Sequence, residues 1–371
     1  MNIFLELEKD RYETARSLFK GFDFQIVVRA VIEKTSPGKI WVDDVEKPES
    51  GFMATTEGWF IAGNPNNDEF NDGLRKLTHD MILRGKFYSP VNPEFLHELF
   101  FHIDTEDWKL KFPIIFDIRT PLPTYRNHFV CEKVSLDWQG SIPEGYDLLK
   151  VNSNLDVDSF EFPEDIKEWV SHSQQDQIKR GYGMCLTHGK NVVVWINADC
   201  ASGTECEIGI ITTQDYRRRG LGGLTAAAAV DNCFSLGYSN VGWHCENHNH
   251  GSIAVAQKVG FVKERDYVHY ICMFDEAVHY AEKAMRHFFD RQYEDAIANF
   301  ELAFEMKDVS VWFYTLAARA YAEMNEPDSV VKYLKQAQKL GWTNWSAVLN
   351  SNDLAPILDN ESFKDFVKQL E

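Results

Sequence analysis

The chain has 371 residues, 44% of them hydrophobic and 26% charged, enough apolar material for two or three cores at about 150 residues each. Lys and Arg (38) against Asp and Glu (57) leave a formal charge of −19, which repels nucleic acid and anionic membranes and excludes both as partners unless a local basic patch exists. No window approaches the ~18 uncharged apolar residues of a spanning helix, and the opening MNIFLELEKD, with Glu6, Glu8 and Asp10, is no signal peptide.

The first region, residues 1–127, begins with a helical stretch and turns to strands. The runs KIWVDD and GFMAT flank the turn-like Lys47-Pro48-Glu49-Ser50, and GWFIAG follows Glu57-Gly58. A helix is predicted from Phe70 through Leu74, Leu77 and Met81, stopped by Gly85. The stretch Thr120 to Asn127, with two prolines, reads as a linker. The second region, residues 128–275, alternates strands with helices. YDLLKV is a strand and Ile166 to Ile178 a helix. YGMCLTHGKNVVVWINA is a hairpin turning at His188-Gly189-Lys190, and CEIGIIT is a further strand. A helix from Gly222 to Leu236, the strand SNVGWHC, a helix from Ser252 to Val259 and the strand VHYICMF complete it.

In the third region, residues 276–371, Ala284, Ala296, Phe300 and Ala303 recur as Ala318, Val330, Leu334 and Ala337, each displaced by 34 residues. That is the tetratricopeptide period, in which small residues let paired helices approach and larger apolar ones fill between them. YEDAIANFELAF resembles the second helix of such a repeat, DSVVKYLKQAQKL is a looser copy, and Asp353 to Leu370 is expected to cap the stack.

The chemistry sits where the strand EIGIIT runs through TQDYRRRGLGG into the helix LTAAAAVDNCF. Gly220, Gly222 and Gly223 lie at the helix start, where unpaired amides and the positive helix end favour a phosphate. Arg217, Arg218 and Arg219 supply the one strong basic patch. A side chain in place of glycine would hold a pyrophosphate off the amides. No Gly-Lys-Ser/Thr follows, and Gly220-Leu221-Gly222-Gly223 is not G-x-G-x-x-G.

The pattern R-x-x-G-x-G at Arg217, Gly220 and Gly222, followed by Asn249-x-x-Ser252 and IAVAQKVGF, resembles the GNAT superfamily of N-acetyltransferases. The resemblance covers about a third of the chain and implies the acyl-CoA N-acyltransferase fold, an α/β (α+β) architecture with a mixed sheet flanked by helices, and acetyl-CoA as co-substrate. It implies that Ile210, Ile211 and Thr212 pair with the pantetheine arm as a further strand. It implies that the amides of Arg218, Arg219, Gly220, Leu221, Gly222 and Gly223 hold the pyrophosphate beside Arg217, and that Asn249 and Ser252 lie near the thioester.

Acetyl transfer to an alkylamine requires removal of a proton, since such amines have a pKa near about 10. It also requires donors for an oxyanion, most simply strand amides near Ile211, and a proton for the leaving thiolate. Glu207 is the first candidate base, because family members often place a glutamate on this strand. Glu205 is the alternative, and a bulge decides which of them faces the cleft. The family's usual tyrosine position is Ala256, so solvent, Ser252 or another tyrosine has to supply the acid. His244, Cys245, His248 and His250 invite a metal reading, but alternation sends His244 and Cys245 to opposite faces. No metal is expected, and substrate contact by His244 or His250 is the better reading.

The first region is similar to a degenerate copy of the same core, in which Asp68 and Glu69 at the helix start would repel a pyrophosphate; an unrelated α+β domain is the alternative. The expected protein is an N-acetyltransferase acting on a primary amine of a small, cationic, antibiotic-type molecule, with a non-binding N-terminal domain and a C-terminal helical-repeat tail. A non-catalytic acetyl-CoA-binding scaffold, and a protein or peptide acetyltransferase docking substrate on the repeats, are the alternatives. Seven cysteines without a disulfide framework point to the cytoplasm.

Overall fold

The computed structural model describes residues 4–84, 98–163, 166–167, 178, 180–349 and 351–370. It divides into two compact units, Met1–Ile271 and Cys272–Glu371. No described helix is long and apolar enough to cross a membrane.

In the first unit the described residues form one twelve-stranded sheet. Its first half holds β1 (Leu5–Glu6), β2 (Gly38–Val42), β3 (Ser50–Thr55), β4 (Gly58–Gly63), β5 (Glu98–Ile103) and β6 (Leu122–Cys131). Its second half holds β7 (Tyr146–Val151), β8 (Gly183–His188), β9 (Asn191–Ser202), β10 (Glu205–Thr212), β11 (Asn240–Glu246) and β12 (Val262–Met273). Helices α1 (Ile26–Ile32), α2 (Asp68–Arg84) and α3 (Phe112–Ile115) belong to the first half, and α4 (Leu221–Ser235) and α5 (His250–Val259) to the second. The helix expected over Ile166 to Ile178 and the stop at Gly85 fall largely outside the described residues.

The strand order is β1-β2-β3-β4-β5-β12-β6-β11-β10-β9-β8-β7. The two halves therefore exchange their last strands. β6 from the first half is inserted between β11 and β12, and β12 from the second half closes against β5. This corrects the linker reading of Thr120 to Asn127, most of which is β6. Pro121 immediately precedes the strand and Pro123 is its second residue, where a missing N–H is tolerated. Tyr270 stands opposite Pro123 in register. The boundary expected after residue 127 lies inside this ladder, which pairs His128 with His244 and Arg126 with Glu246.

The alanine run of α4 explains how that helix seats. Ala226, Ala227, Ala228 and Ala229 are all buried, and small side chains let the helix lie close against β8, β9 and β10. The core under it contains Phe129, Ile196, Cys206, Ile208, Val241, Trp243 and Phe261. Ala256, at the family's tyrosine position, is fully buried in α5 as part of that core. At the start of α2, the Asn67 side chain accepts from the Phe70 amide (3.1 Å), and Asp68 and Glu69 occupy the first turn. The positive helix end is already met by side-chain oxygens.

The second unit is helical, with α6 (Glu276–Phe289), α7 (Tyr293–Met306), α8 (Val311–Glu323), α9 (Pro327–Lys339), α10 (Trp345–Leu349) and α11 (Glu361–Lys368). All eight positions of the 34-residue repeat are completely buried. Asp353 to Leu370 is not one helix. A 3₁₀ turn carries Pro356, and Asn360 then caps α11 by accepting from the amides of Ser362 and Phe363.

Candidate active site

β10 and β11 are parallel and in register at Glu205, Cys206 and Glu207. From Ile208 onward the described residues show no ladder between them, and β10 pairs only with β9. The Thr213 amide donates to the Val193 carbonyl (3.0 Å). By antiparallel alternation, the backbone groups of Ile211 then face β9, while those of Ile208, Ile210 and Thr212 face the opening. Of the three residues expected to pair with an extended arm, Ile210 and Thr212 present their amide and carbonyl to the opening and Ile211 does not. The Ile211 amide, where an oxyanion donor was expected, is thus turned to β9, and its outward-facing neighbours are Ile210 and Thr212.

Across the opening stands the start of α4. Gly220 is its N-cap at φ +81° with no side-chain cap, and Arg218 takes φ +60°, so the chain turns sharply into the helix. A Cβ on Gly222 would meet Thr212 Oγ1 at 3.0 Å and Ile210 Cδ1 at 3.4 Å; glycine here keeps the helix start close to the strand edge. The first-turn amides, including those of Leu221, Gly222 and Gly223, lack intrahelical acceptors. Arg217 Nε donates to the Thr212 carbonyl (2.8 Å) and Arg219 to the Asp215 carbonyl (2.7 Å). The exposed arginines thus also brace the loop.

Where the strands part, a cavity of about 270 Å3 is lined by Glu57, Arg126, Asp199, Glu207 to Ile210, Trp243 to Glu246, Asn249 and Ser252. Glu207 is 2% exposed. Its Oε1 accepts from the Ile26 amide (3.1 Å) and lies 3.1 Å from His244 Nε2; its Oε2 accepts from the Cys200 thiol (3.3 Å). Burial alone would raise its pKa. The His244 charge and the hydrogen bonds from His244, Ile26 and Cys200 outweigh burial and hold it at about 2. Glu205, two residues earlier on the same face, is instead ion-paired to Arg29 of α1.

The bulge considered for β10 lies on its neighbour. Glu207 pairs with Cys200 and Ile208 with Ala198, leaving Asp199 as the extra residue of β9. Burial, then the Glu207 charge, raises Asp199 to about 7, against the lowering effect of Arg180, Asn197 and Arg126. Glu57, in the turn between β3 and β4, is pushed well above the usual carboxylate range by burial and by Glu207 and Asp199.

His244 links the cavity to a buried network. Its Nδ1 lies 2.8 Å from the Tyr267 hydroxyl, and its ring stacks on His128 at 4.3 Å with 13° between planes. His128 Nδ1 meets Glu264 (2.8 Å); burial, then the His244 charge, lowers His128 to about 4. Ligand-type atoms of His128, Glu207 and His244, and of Glu57, Cys200 and Glu207, come within 4.8 Å of one another. Cys245 is buried in the core, while His248 is exposed on the following loop and His250 is exposed as the first residue of α5. Asn249 caps α5 by accepting from the Ser252 amide (3.0 Å), and the Ser252 hydroxyl accepts from Trp243 Nε1 (3.0 Å). Both line the cavity.

Sequence reasoning missed Glu57, Arg126, Asp199, Ile26, His128 and Tyr267. Only Asp199 left a local signal, as the sole acidic residue between Lys190 and Glu205, in a strand otherwise apolar enough for a core. Arg126 and His128 reach the site through the exchanged β6, which no local pattern announces.

A strand edge open to an extended arm, facing helix amides open to a phosphate, matches one kind of ligand: an acyl thioester on a long phosphorylated carrier. The class is that of the acyl-CoA-dependent acyltransferases. The chain belongs to the GNAT acetyltransferase family, whose model matches residues 16–270. An uncharacterized N-acetyltransferase of Bacillus subtilis (strain 168), YdfB, is 27% identical over 271 residues, covering 73% of this chain and 99% of that protein. The crystal structure of a GCN5-related N-acetyltransferase-like protein from Streptococcus suis aligns with a TM-score of 0.50 at 19% identity, over 70% of this chain and 98% of that one; this likeness shows the fold. The match takes in both halves of the sheet, well beyond the third of the chain that carries the motifs.

Proposed function

We propose that the chain transfers the acetyl group of acetyl-CoA to a primary amine of a small cationic molecule. The observation that carries this reading is the cavity at the closed end of the strand opening, where Glu57, Asp199, Glu207 and Glu246 face one guanidinium, Arg126. Such a lining favours a cation and sets it where the two strands part. The cradle suits acetyl-CoA: a Cβ at Gly222 would fill the gap beside Thr212, and the outward amides of Ile210 and Thr212 can pair with an extended arm. Bound there, acetyl-CoA supplies an activated acyl carbon. The residues Arg217 to Gly223 hold its phosphates, an outward β10 amide stabilises the oxyanion, and the carboxylates orient the amine and take its proton.

In this reading the first half is a lapsed copy of the core that walls the acceptor site, contributing the Ile26 amide, Glu57 and Arg126. The C-terminal unit is a tetratricopeptide-like stack. It carries an apolar groove of about 340 Å3 lined by Leu349, Leu358, Phe363 and Val367, which supports a second reading, a peptide substrate or partner docked on the tail. Seven free cysteines, all buried, are in keeping with a reducing cytoplasm. A screen of the full chain with acetyl-CoA over small cationic amines, aminated antibiotics, neutral amines and lysine peptides, reading CoA thiol release, tests the function. Release with cationic small amines is expected. Release with peptides alone favours the second reading, and absence of release with every amine leaves a scaffold.

A further inference from the structure

We propose that Asp199, rather than Glu207, takes the proton from the incoming amine, and that Glu57 and Glu207 are the carboxylates that position the ammonium beside it. This rests on the acetyl-transfer reading and assigns roles within the same cavity.

Glu207 is the more obvious base, and its surroundings disqualify it. Both oxygens are engaged, one by the Ile26 amide and the His244 ring and the other by the Cys200 thiol. A carboxylate so satisfied is a settled anion, and protonating it would break at least one of those contacts. Its chemistry is that of a fixed negative charge, which orients a cation but draws its proton weakly.

Asp199 is placed differently. In a regular strand it would point to the face opposite Cys200, whose thiol touches Glu207. The bulge between the Glu207–Cys200 and Ile208–Ala198 pairs leaves Asp199 out of register, and it lines the cavity together with Glu207. Its environment brings it to half-ionisation near neutral pH, where a base is most effective. Beside burial, the groups that set this are Glu207 on β10, which raises it, and Arg180, Asn197 on β9 and Arg126 on β6, which lower it; Glu57 from the β3–β4 turn and His244 and Glu246 on β11 face the same cavity. Arg180 donates to the carbonyls of Ala198 and Asp199 (3.0 and 2.7 Å) and so pins the bulge. Glu57 Oε1 is buried with no hydrogen-bond partner among the described residues, the arrangement of a carboxylate that receives a cationic donor.

The step balances without any further reactant. The Asp199 carboxylate accepts one proton from the ammonium, and the freed lone pair forms the nitrogen–carbon bond at the thioester carbonyl. As the carbon–sulfur bond breaks, the proton that nitrogen still holds in excess passes to the departing sulfur. Asp199 then returns its own proton to water.

Two arms on the full chain test the assignment. Carboxyl carbon NMR needs no acceptor: the resonance deleted by Asp199→Asn should titrate near pH 7, while the one deleted by Glu207→Gln stays ionised from about pH 4 upward. An Asp199 already ionised below about pH 5, or a Glu207 titrating near neutrality, overturns the proposal. The second arm uses a primary alkylamine turned over in the screen. Wild-type kcat/KM should rise with pH through about 7. Asp199→Asn should remove that rise and cost about 10²–10⁴-fold in kcat. Glu207→Gln, by deleting a like charge, should keep the rise and move it to lower pH, and Glu57→Gln should act mainly on KM. A rise lost in Glu207→Gln and retained in Asp199→Asn refutes the assignment. If the NMR arm holds and no amine is turned over, the acetyl-transfer reading fails and the role of Asp199 falls with it.

Discussion

Replacing Gly222 with alanine separates cofactor binding from folding. The new Cβ would sit 3.0 Å from Thr212 Oγ1 and 3.4 Å from Ile210 Cδ1, so the threonine hydroxyl must move by a few tenths of an ångström. That cost is offset by the helix preference for alanine over glycine, up to about 1 kcal/mol, and the ligand-free melting temperature should change by no more than about 2 °C. The same methyl group stands in the gap between helix start and strand edge that the pyrophosphate and pantetheine would share. With acetyl-CoA at a hundredfold excess over Kd, binding stabilises by about 2.7 kcal/mol, or roughly 5 to 10 °C for a unit of this size. A hundredfold loss of affinity reduces the stabilisation to about 0.4 kcal/mol at the same concentration, and the shift nearly vanishes. Scanning fluorimetry with and without acetyl-CoA reads both quantities. Arg217→Glu, exposed and away from the core, should give the same pattern by repulsion. A full ligand shift in both variants would refute the placement of the phosphate site at Arg217 to Gly223.

Other consequences can be checked separately. Asp199 has a raised folded pKa, so its penalty on stability starts as pH rises past the unfolded value of about 3.9 and is complete above about 7. Asp199→Asn should therefore be more stable than wild type at pH 8 by about 1–2 kcal/mol after allowance for partial exposure, with no difference below about pH 4; equal denaturant midpoints at both pH values would contradict this. His244→Leu strands the buried Glu207 charge and should cost about 3–5 kcal/mol in urea unfolding, whereas a loss below 1 kcal/mol would show the pair to be dispensable. A fragment of residues 1–127 cuts β6 and lacks β12, so it should show no cooperative thermal transition; a sharp one would mean the exchanged strands are not needed for folding. Truncation after Asp275 keeps β12 whole and should preserve the acetyl-CoA shift, which its loss in a folded protein would disprove.

The part of the site that could be read in the sequence is the part made by consecutive residues. Strand, arginines, glycines and helix start follow one another from Glu207 to Ser235, and the structure brings Gly222 at the start of α4 against Ile210 and Thr212 of β10. The helical character of the C-terminal unit was equally legible, because small and apolar residues at helical spacing mark the buried faces of its helices. The cavity beside Glu207 was not, because its walls depend on register. Asp199 reaches it through a single-residue bulge, and Arg126 and His128 through a strand exchanged between the halves. The prolines at 121 and 123 disguised that strand as a linker, since in isolation they read as breakers and only pairing with β12 shows them to be tolerated. Glu57 looked like a turn residue because it is one; its burial comes from what packs over the turn.

Acetyl transfer measured against acceptor charge tests the central claim most directly. Wild type and Glu57→Gln are compared on a diamine, cationic at its far end, and on a monoamine of equal length with a neutral end, reading CoA thiol release. At the effective dielectric of a partly buried site, a charge pair at 4 Å is worth up to about 4 kcal/mol, less the cost of ionising Glu57, whose carboxyl burial and its acidic neighbours hold well above the usual range. The account predicts that wild type favours the diamine by at least about tenfold in kcat/KM and that Glu57→Gln removes most of this preference. Equal rates for the two acceptors in wild type, or a preference untouched by the substitution, would contradict it.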